Sequence, residues 1–155
     1  MSADEQSPHL VADLELESSL DSVDAVENHV IAAAQQAGLS EEEIFRFGYA
    51  VREAMVNAVV HGNRYNSNKM VLFRMLAGPD YIEVVIRDFG DGFNANSVAD
   101  PLAEENLLSQ SGRGLALIRA FVDKLKVAPA DGGGTAAILR KYVNAGTNTP
   151  PEVSD

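Results

Sequence analysis

The stretch Glu53–Asn63, EAMVNAVVHGN, decides how the rest of the chain is read. It is helical in composition, and Val51, Ala54, Met55, Val56, Ala58, Val59 and Val60 make its surroundings almost wholly apolar. Yet Glu53 and Asn57 stand four residues apart, a spacing that stacks two side chains on one helix face. A solvated surface stripe would carry such a pair. So would a binding site. A carboxamide oxygen suits a hard cation such as Mg²⁺, which keeps several waters and takes few protein ligands. A nearby carboxylate can accept a proton from an attacking hydroxyl or water. Taken alone, the motif leaves both readings open.

The helix that holds it starts at SEEE, a capping box with Ser40 as N-cap and Glu43 at N3, and runs through Ile44, Phe47, Val51, Ala54 and Ala58 to stop near Gly62. His61 is read as a structural residue of that helix end. Upstream, Leu20, Val23, Val26, Val30, Ala33, Ala34 and Ala37 recur at helical spacing between a Ser18 or Ser19 cap and Gly38. Before that helix, LVADLELE alternates Leu10, Ala12, Leu14 and Leu16 on one side, the period of a strand. Downstream, MVLFRMLA and YIEVVIRD are two strands joined by Gly78-Pro79-Asp80 into an antiparallel hairpin. Residues 89–113 carry Gly, Asn, Ser, Asp and Pro with little periodicity and are read as a long loop with one helical turn near Pro101–Leu108. Loops longer than about 12–15 residues inside a compact domain are usually functional or mobile. GLALIRAFVDKL follows as a helix with Leu115, Ile118, Phe121, Val122 and Leu125 on one face. LKVAP and TAAILRKYV then flank the Gly132-Gly133-Gly134 turn as strands.

The resulting order, β-α-α-β-β-loop-α-β-β, predicts an α+β two-layer sandwich, with helices on one face of a mixed, mostly antiparallel sheet. At 155 residues and 46% apolar content, one domain is expected, over residues 10–142, with a flexible N-terminus at 1–9 and a flexible tail at 143–155. The net charge of −11 argues against a nucleic-acid partner. It does not argue against a nucleotide, because a metal ion supplies positive charge locally. With no cysteine there is neither a disulfide nor a thiolate metal site. No signal peptide or membrane-spanning stretch is visible, so a cytoplasmic location is expected.

Two further motifs carry chemistry. In RDFGDGFN a strand ends at Asp88, and Gly90 and Gly92 complete a D-x-G-x-G turn. Glycine lets a ligand approach the backbone closely, and the carboxylate can accept a hydrogen bond from an exocyclic amine; an ordinary glycine-rich turn would look the same. In SGRGLALIRAF, Gly112 and Gly114 sit before or at a helix N-terminus, where free N–H groups and the helix dipole favour an anion. A plain loop-to-helix junction is the alternative. Neither a P-loop nor a dinucleotide-binding fingerprint occurs.

In their order and context these motifs resemble the Bergerat-type ATP-binding domain shared by gyrase and sensor histidine kinases, the GHKL superfamily. Within it, the chain looks most like the small serine/threonine kinases that act as anti-sigma factors in bacterial partner switching. REAMVNAVVHGN resembles their N box, DFGDGF the G1 box and GRGLALIRAFVDKL the G2 box, and the resemblance covers about residues 10–142. It implies ATP and Mg²⁺ as ligands, with Asn57 holding the metal and Glu53 as general base toward a serine hydroxyl. It also implies that Asp88 reads the adenine amino group and that Gly90 and Gly92 shape the adenine pocket. Gly112 and Gly114 would pack on the phosphates, residues about 93–111 would form a lid, and Thr135 would support adenine recognition. The implied partners are a sigma factor and an anti-anti-sigma antagonist of the STAS type, with the kinase as a homodimer. There is one departure. Phe93–Gly112 contains no Lys or Arg, but does contain Asp100, Glu104 and Glu105, so charge compensation at the transferred phosphoryl group falls to Mg²⁺, Arg113 and Arg64. If neither arginine reaches that group, the alternative is a nucleotide-gated, non-catalytic binding module acting on a sigma factor or another partner.

Overall fold

A computed structural model describes residues 7–90 and 114–143. Their order is β1 (His9–Leu16), α1 (Leu20–Gln36), α2 (Glu41–Val56), a π-helix (Asn57–Gly62), β2 (Val71–Ala77), β3 (Tyr81–Arg87), α3 (Gly114–Phe121), β4 (Lys124–Pro129) and β5 (Thr135–Tyr142). The five strands form one sheet in the order β1-β2-β3-β5-β4. Every pairing is antiparallel, so among the described residues the sheet is antiparallel throughout rather than mixed. The helices lie on one face of it, an α+β sandwich of two layers.

Alternation fixes which sheet face is covered. Phe73 and Met75 of β2, Val84 and Ile86 of β3 and Leu139 of β5 are buried with Val23, Val26 and Val30 of α1, Phe47, Val51 and Met55 of α2, and Leu115 and Ile118 of α3. Each such side chain contributes about 1.5–3 kcal/mol through burial, so this layer holds the sandwich together. The opposite sheet face is mixed, with Leu72, Leu76, Val85 and Ile138 among Arg74, Tyr81, Glu83, Arg87 and Arg140. There Arg140 donates to the Glu83 carboxylate from Nε at 2.9 Å and from Nη2 at 2.8 Å, while its guanidinium lies 3.9 Å from the Tyr81 ring centroid.

Local signals place the elements. Ser19 caps α1 by accepting from the Ser22 N–H. Ser40 and Glu43 form the reciprocal capping box of α2, at 3.0 and 3.1 Å. Gly78 closes the β2–β3 hairpin through its N–H to the Tyr81 carbonyl at 2.8 Å.

Three expectations change. The register of β1 slips between Leu10 and Ala12, which leaves Leu10 55% exposed while Ala12, Leu14 and Leu16 pack on the core. One extra residue at a bulge flips the side-chain parity of the strand. The helix expected over residues 114–125 ends at Phe121, and Leu125 belongs to β4, opposite Leu139. Asp123 makes the break: its N–H donates to the Arg140 carbonyl, and its carboxylate accepts from the Tyr142 N–H at 2.7 Å. Finally, the helix of the opening motif remains α-helical only to Val56 and then widens to the π form from Asn57 to Gly62. The expected lid (93–111) lies outside the described residues, as do residues 1–6 of the expected flexible N-terminus (1–9) and residues 144–155 of the expected flexible tail (143–155); within those two segments His9 opens β1 and the Val143 N–H donates to the Asp80 carbonyl at 2.8 Å. No helix among the described residues is long and apolar enough to cross a membrane.

Candidate functional site

The π-helix separates two clusters of polar side chains, one at each end. At its start, Glu53 and Asn57 are both half-buried. They face the described beginning of α3. A Cβ built on Gly114 would lie 2.9 Å from Glu53 Oε1, 3.8 Å from Asn57 Oδ1 and 3.9 Å from Asn57 Nδ2. The carboxylate and the carboxamide therefore share an opening that only a glycine leaves clear. Among the described residues, no group of three or more His, Cys, Asp or Glu side chains could hold a metal ion. The donor chemistry fits a hard cation such as magnesium, which takes few protein ligands and would be held by the Asn57 carboxamide. His61, within the π-helix, is exposed.

At the other end, Gly62 lies directly under Asp88, the residue that follows β3. Asp88 is only 7% exposed. Its backbone N–H donates to the Thr135 carbonyl at 3.0 Å. Its Oδ1 accepts from the Gly90 N–H at 2.9 Å and from the Thr135 N–H at 3.3 Å. Burial pushes the Asp88 carboxyl above its ordinary value, against the two amide hydrogen bonds and the Arg87 and Lys69 charges that favour the anion.

Close approaches at three glycines pack the backbone around Asp88. A Cβ on Gly62 would overlap the Asp88 side chain, one on Gly90 would overlap the Gly62 carbonyl, and one on Gly134, at φ +82°, would overlap the Asp88 carbonyl. Arg87 locks the same region from the strand side. Its guanidinium donates to the Asp131 and Gly133 carbonyls, at 2.5 and 3.1 Å, and sits 4.2 Å from the Phe89 ring centroid.

Of the residues expected at the site, Glu53, Asn57 and Gly114 are brought together, and Asp88, Gly90 and Thr135 are brought together. Gly92, Gly112 and Arg113 lie outside the described residues. Arg64 is exposed, in a left-handed turn beyond the π-helix. Sequence reasoning missed Gly62, Gly134, Arg87 and Asn63. All four stood inside quoted stretches, HGN, GGG and RDFGDGFN, but their partners are distant in sequence, and nothing local marks a close backbone approach or a long-range hydrogen bond.

Comparison with known proteins identifies the family and the fold. The model of the histidine kinase-like ATPase domain matches residues 16–141. The anti-sigma F factor of Clostridium perfringens strain SM101 is 31% identical over 105 residues, 66% of this chain and 75% of that protein. The anti-sigma F factor of Bacillus cereus strain ATCC 14579 is 30% identical over 118 residues, 75% of this chain and 81% of that protein. In structure, the fold is shared with a Mycobacterium tuberculosis protein crystallised as its RsbU and RsbW domains. That match has a TM-score of 0.60 and 19% identity, and covers 88% of this chain and 32% of that one. The chain belongs to the anti-sigma factor family built on the histidine kinase-like ATPase domain.

Proposed function

We propose that the chain is an ATP-dependent protein-serine kinase that also sequesters a sigma factor, working in the cytoplasm as a homodimer and phosphorylating an anti-anti-sigma antagonist. One observation carries the kinase assignment: the Glu53 carboxylate and the Asn57 carboxamide open together onto Gly114 at the described start of α3. Backbone N–H groups in the first turn of a helix have no intrahelical partner and favour an anion. Phosphates placed there lie beside Asn57, which would hold Mg²⁺. When bound, that ion supplies the positive charge that stabilises the phosphate oxygens. Glu53, one turn earlier on the same helix face, accepts the proton of the attacking serine hydroxyl. Asp88, at the far end of the π-helix, receives the adenine amine. Both amide bonds fall on its Oδ1, and Oδ2 is the oxygen assigned to the amine.

Phosphorylation adds about −1.5 to −2 charges to the antagonist. The kinase surface around it belongs to a chain of net charge −11, so the modified antagonist leaves and the kinase holds sigma. The absence of Lys and Arg from Phe93 to Gly112 favours the second reading, a nucleotide-gated binder without transfer.

The variant Glu53→Gln separates the two. It keeps side-chain size and helix propensity and removes the basic carboxylate. A general base contributes about 10²–10⁴-fold to rate, so single-turnover transfer to the antagonist should fall by that factor while nucleotide titration of the same variant is unchanged. Transfer at the wild-type rate removes Glu53 from catalysis. A wild-type protein that binds ATP and an antagonist yet transfers nothing to it establishes the binder.

A further inference from the structure

Asn63, the last letter of HGN, is 2% exposed although it ends in a carboxamide. Every polar atom of that amide is used. Its Nδ2 donates to Ser18 Oγ at 2.9 Å, to the Met70 carbonyl at 3.1 Å and to the Lys69 carbonyl at 3.3 Å, while Ser18 Oγ itself donates to the Lys69 carbonyl. Its Oδ1 accepts from the Phe89 N–H at 2.8 Å. The partners fix the orientation: a flipped amide would set oxygen against two carbonyls and NH₂ against an N–H. One side chain thus ties the β1–α1 junction and the entrance to β2 to the peptide that follows Asp88.

That peptide carries the geometry of the base end. Asp88, Phe89 and Gly90 form a turn in which the Asp88 carboxylate accepts from the Gly90 N–H two residues on. The intervening Phe89 N–H donates to Asn63 Oδ1, so the middle of this turn is tied to the end of the π-helix.

We infer that Asn63 is a positioning residue for base recognition: by holding the Phe89 N–H it aims the Asp88 carboxylate, and so sets the preference for a purine with an exocyclic amine over one with a carbonyl at that position. This rests on the reading of Asp88 as the adenine contact. A residue that only stabilised the fold would lower the melting temperature without altering that preference.

The test compares Kd for ATP and for ITP, whose base has a carbonyl in place of the amine, at a temperature where each variant is folded. A hydrogen bond to a charged group is worth about 1.5–3 kcal/mol, so the wild type should prefer ATP by roughly 10–100-fold. Two variants remove the acceptor. Asn63→Ala is one. Asn63→Ser is the other, and keeps a short hydroxyl able to donate to the neighbouring carbonyls but too short to reach Phe89. Either should reduce the preference to less than about threefold, well under the discrimination one charged hydrogen bond supplies. Asn63→Asp retains an acceptor toward Phe89 and places charge against two carbonyls. It should melt lower yet keep the wild-type preference. Ser18→Ala should do the same. A wild-type preference in Asn63→Ser, or its loss in Asn63→Asp, overturns the inference. A wild type that does not itself distinguish ATP from ITP overturns the Asp88 reading, and this proposal falls with it.

Discussion

A methyl group added at Gly62, the last residue of the π-helix, would overlap the buried Asp88 carboxyl; one added at Gly114, opposite the first residue, would approach the half-buried end of the Glu53 side chain at 2.9 Å. The end proposed for the base is closed by backbone, and the end proposed for the phosphates by the far end of a flexible side chain. Preorganised dipoles serve recognition of a rigid planar base. A group that must take a proton from an incoming hydroxyl needs access to it. The same helix therefore presents a fixed contact at one end and an adjustable one at the other.

Backbone substitution should break this contrast most strongly. Gly134→Ala combines a left-handed φ of +82° with an overlap onto the Asp88 carbonyl. Overpacking and left-handed strain each cost about 1–3 kcal/mol, so urea unfolding should show a loss on the order of 3 kcal/mol or more, with nucleotide binding lost as well. Gly133→Ala, at φ +110° with nothing within 4 Å of the added carbon, isolates the conformational cost. Its loss should stay at about 1–3 kcal/mol, below that of Gly134→Ala, with binding retained. Equal losses for the two would mean that the close approach to Asp88 is not what the glycine is for. At the other end, Gly114→Ala should leave stability within about 1 kcal/mol, because Glu53 can swing aside. Displacing a catalytic group by an ångström can cost about 10²-fold in rate, so single-turnover transfer should still drop.

Ligand binding sharpens the comparison. Asp88→Asn should weaken ATP, ADP and adenosine alike, by about 1.5–3 kcal/mol, with or without magnesium. Asn57→Ala should weaken ATP only when Mg²⁺ is present, and leave adenosine untouched. Calorimetry with the three ligands, at zero and saturating Mg²⁺, reads both. A magnesium-dependent loss in Asp88→Asn, or a magnesium-independent one in Asn57→Ala, would exchange or merge the two ends.

Acidity gives the base end a signature of opposite signs. Burial raises the Asp88 carboxyl above its ordinary value of 3.8. With the folded value above the unfolded one, this group's contribution to stability is greatest below the unfolded pKa and is lost as pH rises through the folded pKa. The adenine contact proposed for Asp88 runs the other way, since the amine would need the ionised acceptor. The Kd for adenosine should rise as pH falls, with a midpoint above that of an ordinary aspartate, and Asp88→Asn should abolish the dependence. A flat Kd down to pH about 4, close to the ordinary aspartate value, would show that Asp88 does not meet the base.

What could be read in the sequence follows from how local each signal is. The Ser40–Glu43 box, the Gly78-Pro79-Asp80 hairpin and the triple-glycine turn are settled by residues within a few positions of one another, and they stand where expected. So does the Glu53–Asn57 pair, because an α-helix turns i and i+4 to one side. The break after Phe121 was hidden because Phe121, Val122 and Leu125 satisfy a helical period while Leu125 and Val127 also satisfy an alternating one. The π-helix was hidden because six residues are too few to separate a wider turn from an α-helix by apolar spacing. Asn63 was hidden for another reason. After His61-Gly62 it reads as a helix-terminating residue, whereas its decisive partner, Phe89, is 26 positions away.

The smallest expected effect concerns the turn just beyond the π-helix. Arg64 and Tyr65 have φ of 54° and 58°, both left-handed, and neither is glycine. The Tyr65 N–H reaches back to the Val59 carbonyl at 2.9 Å, and the Asn63 N–H to the Ala58 carbonyl at 2.8 Å. This is a C-terminal wrap in which Arg64 occupies the position that glycine usually takes. The left-handed conformation costs an L-residue roughly 1–2 kcal/mol, and glycine gives back about 0.5–1 kcal/mol through its freer unfolded chain. Arg64→Gly should therefore stabilise the protein by no more than about 1 kcal/mol, a rise of about 2–4 °C in Tm for a chain this long. If Arg64 only closes this turn, transfer and ATP affinity stay at wild-type values. If its guanidinium swings in to compensate phosphoryl charge, Arg64→Gly raises Tm and slows single-turnover transfer together. That outcome would extend the adjustable end of the site beyond the π-helix, and would give the arginine a reason to stand where a glycine would fit better.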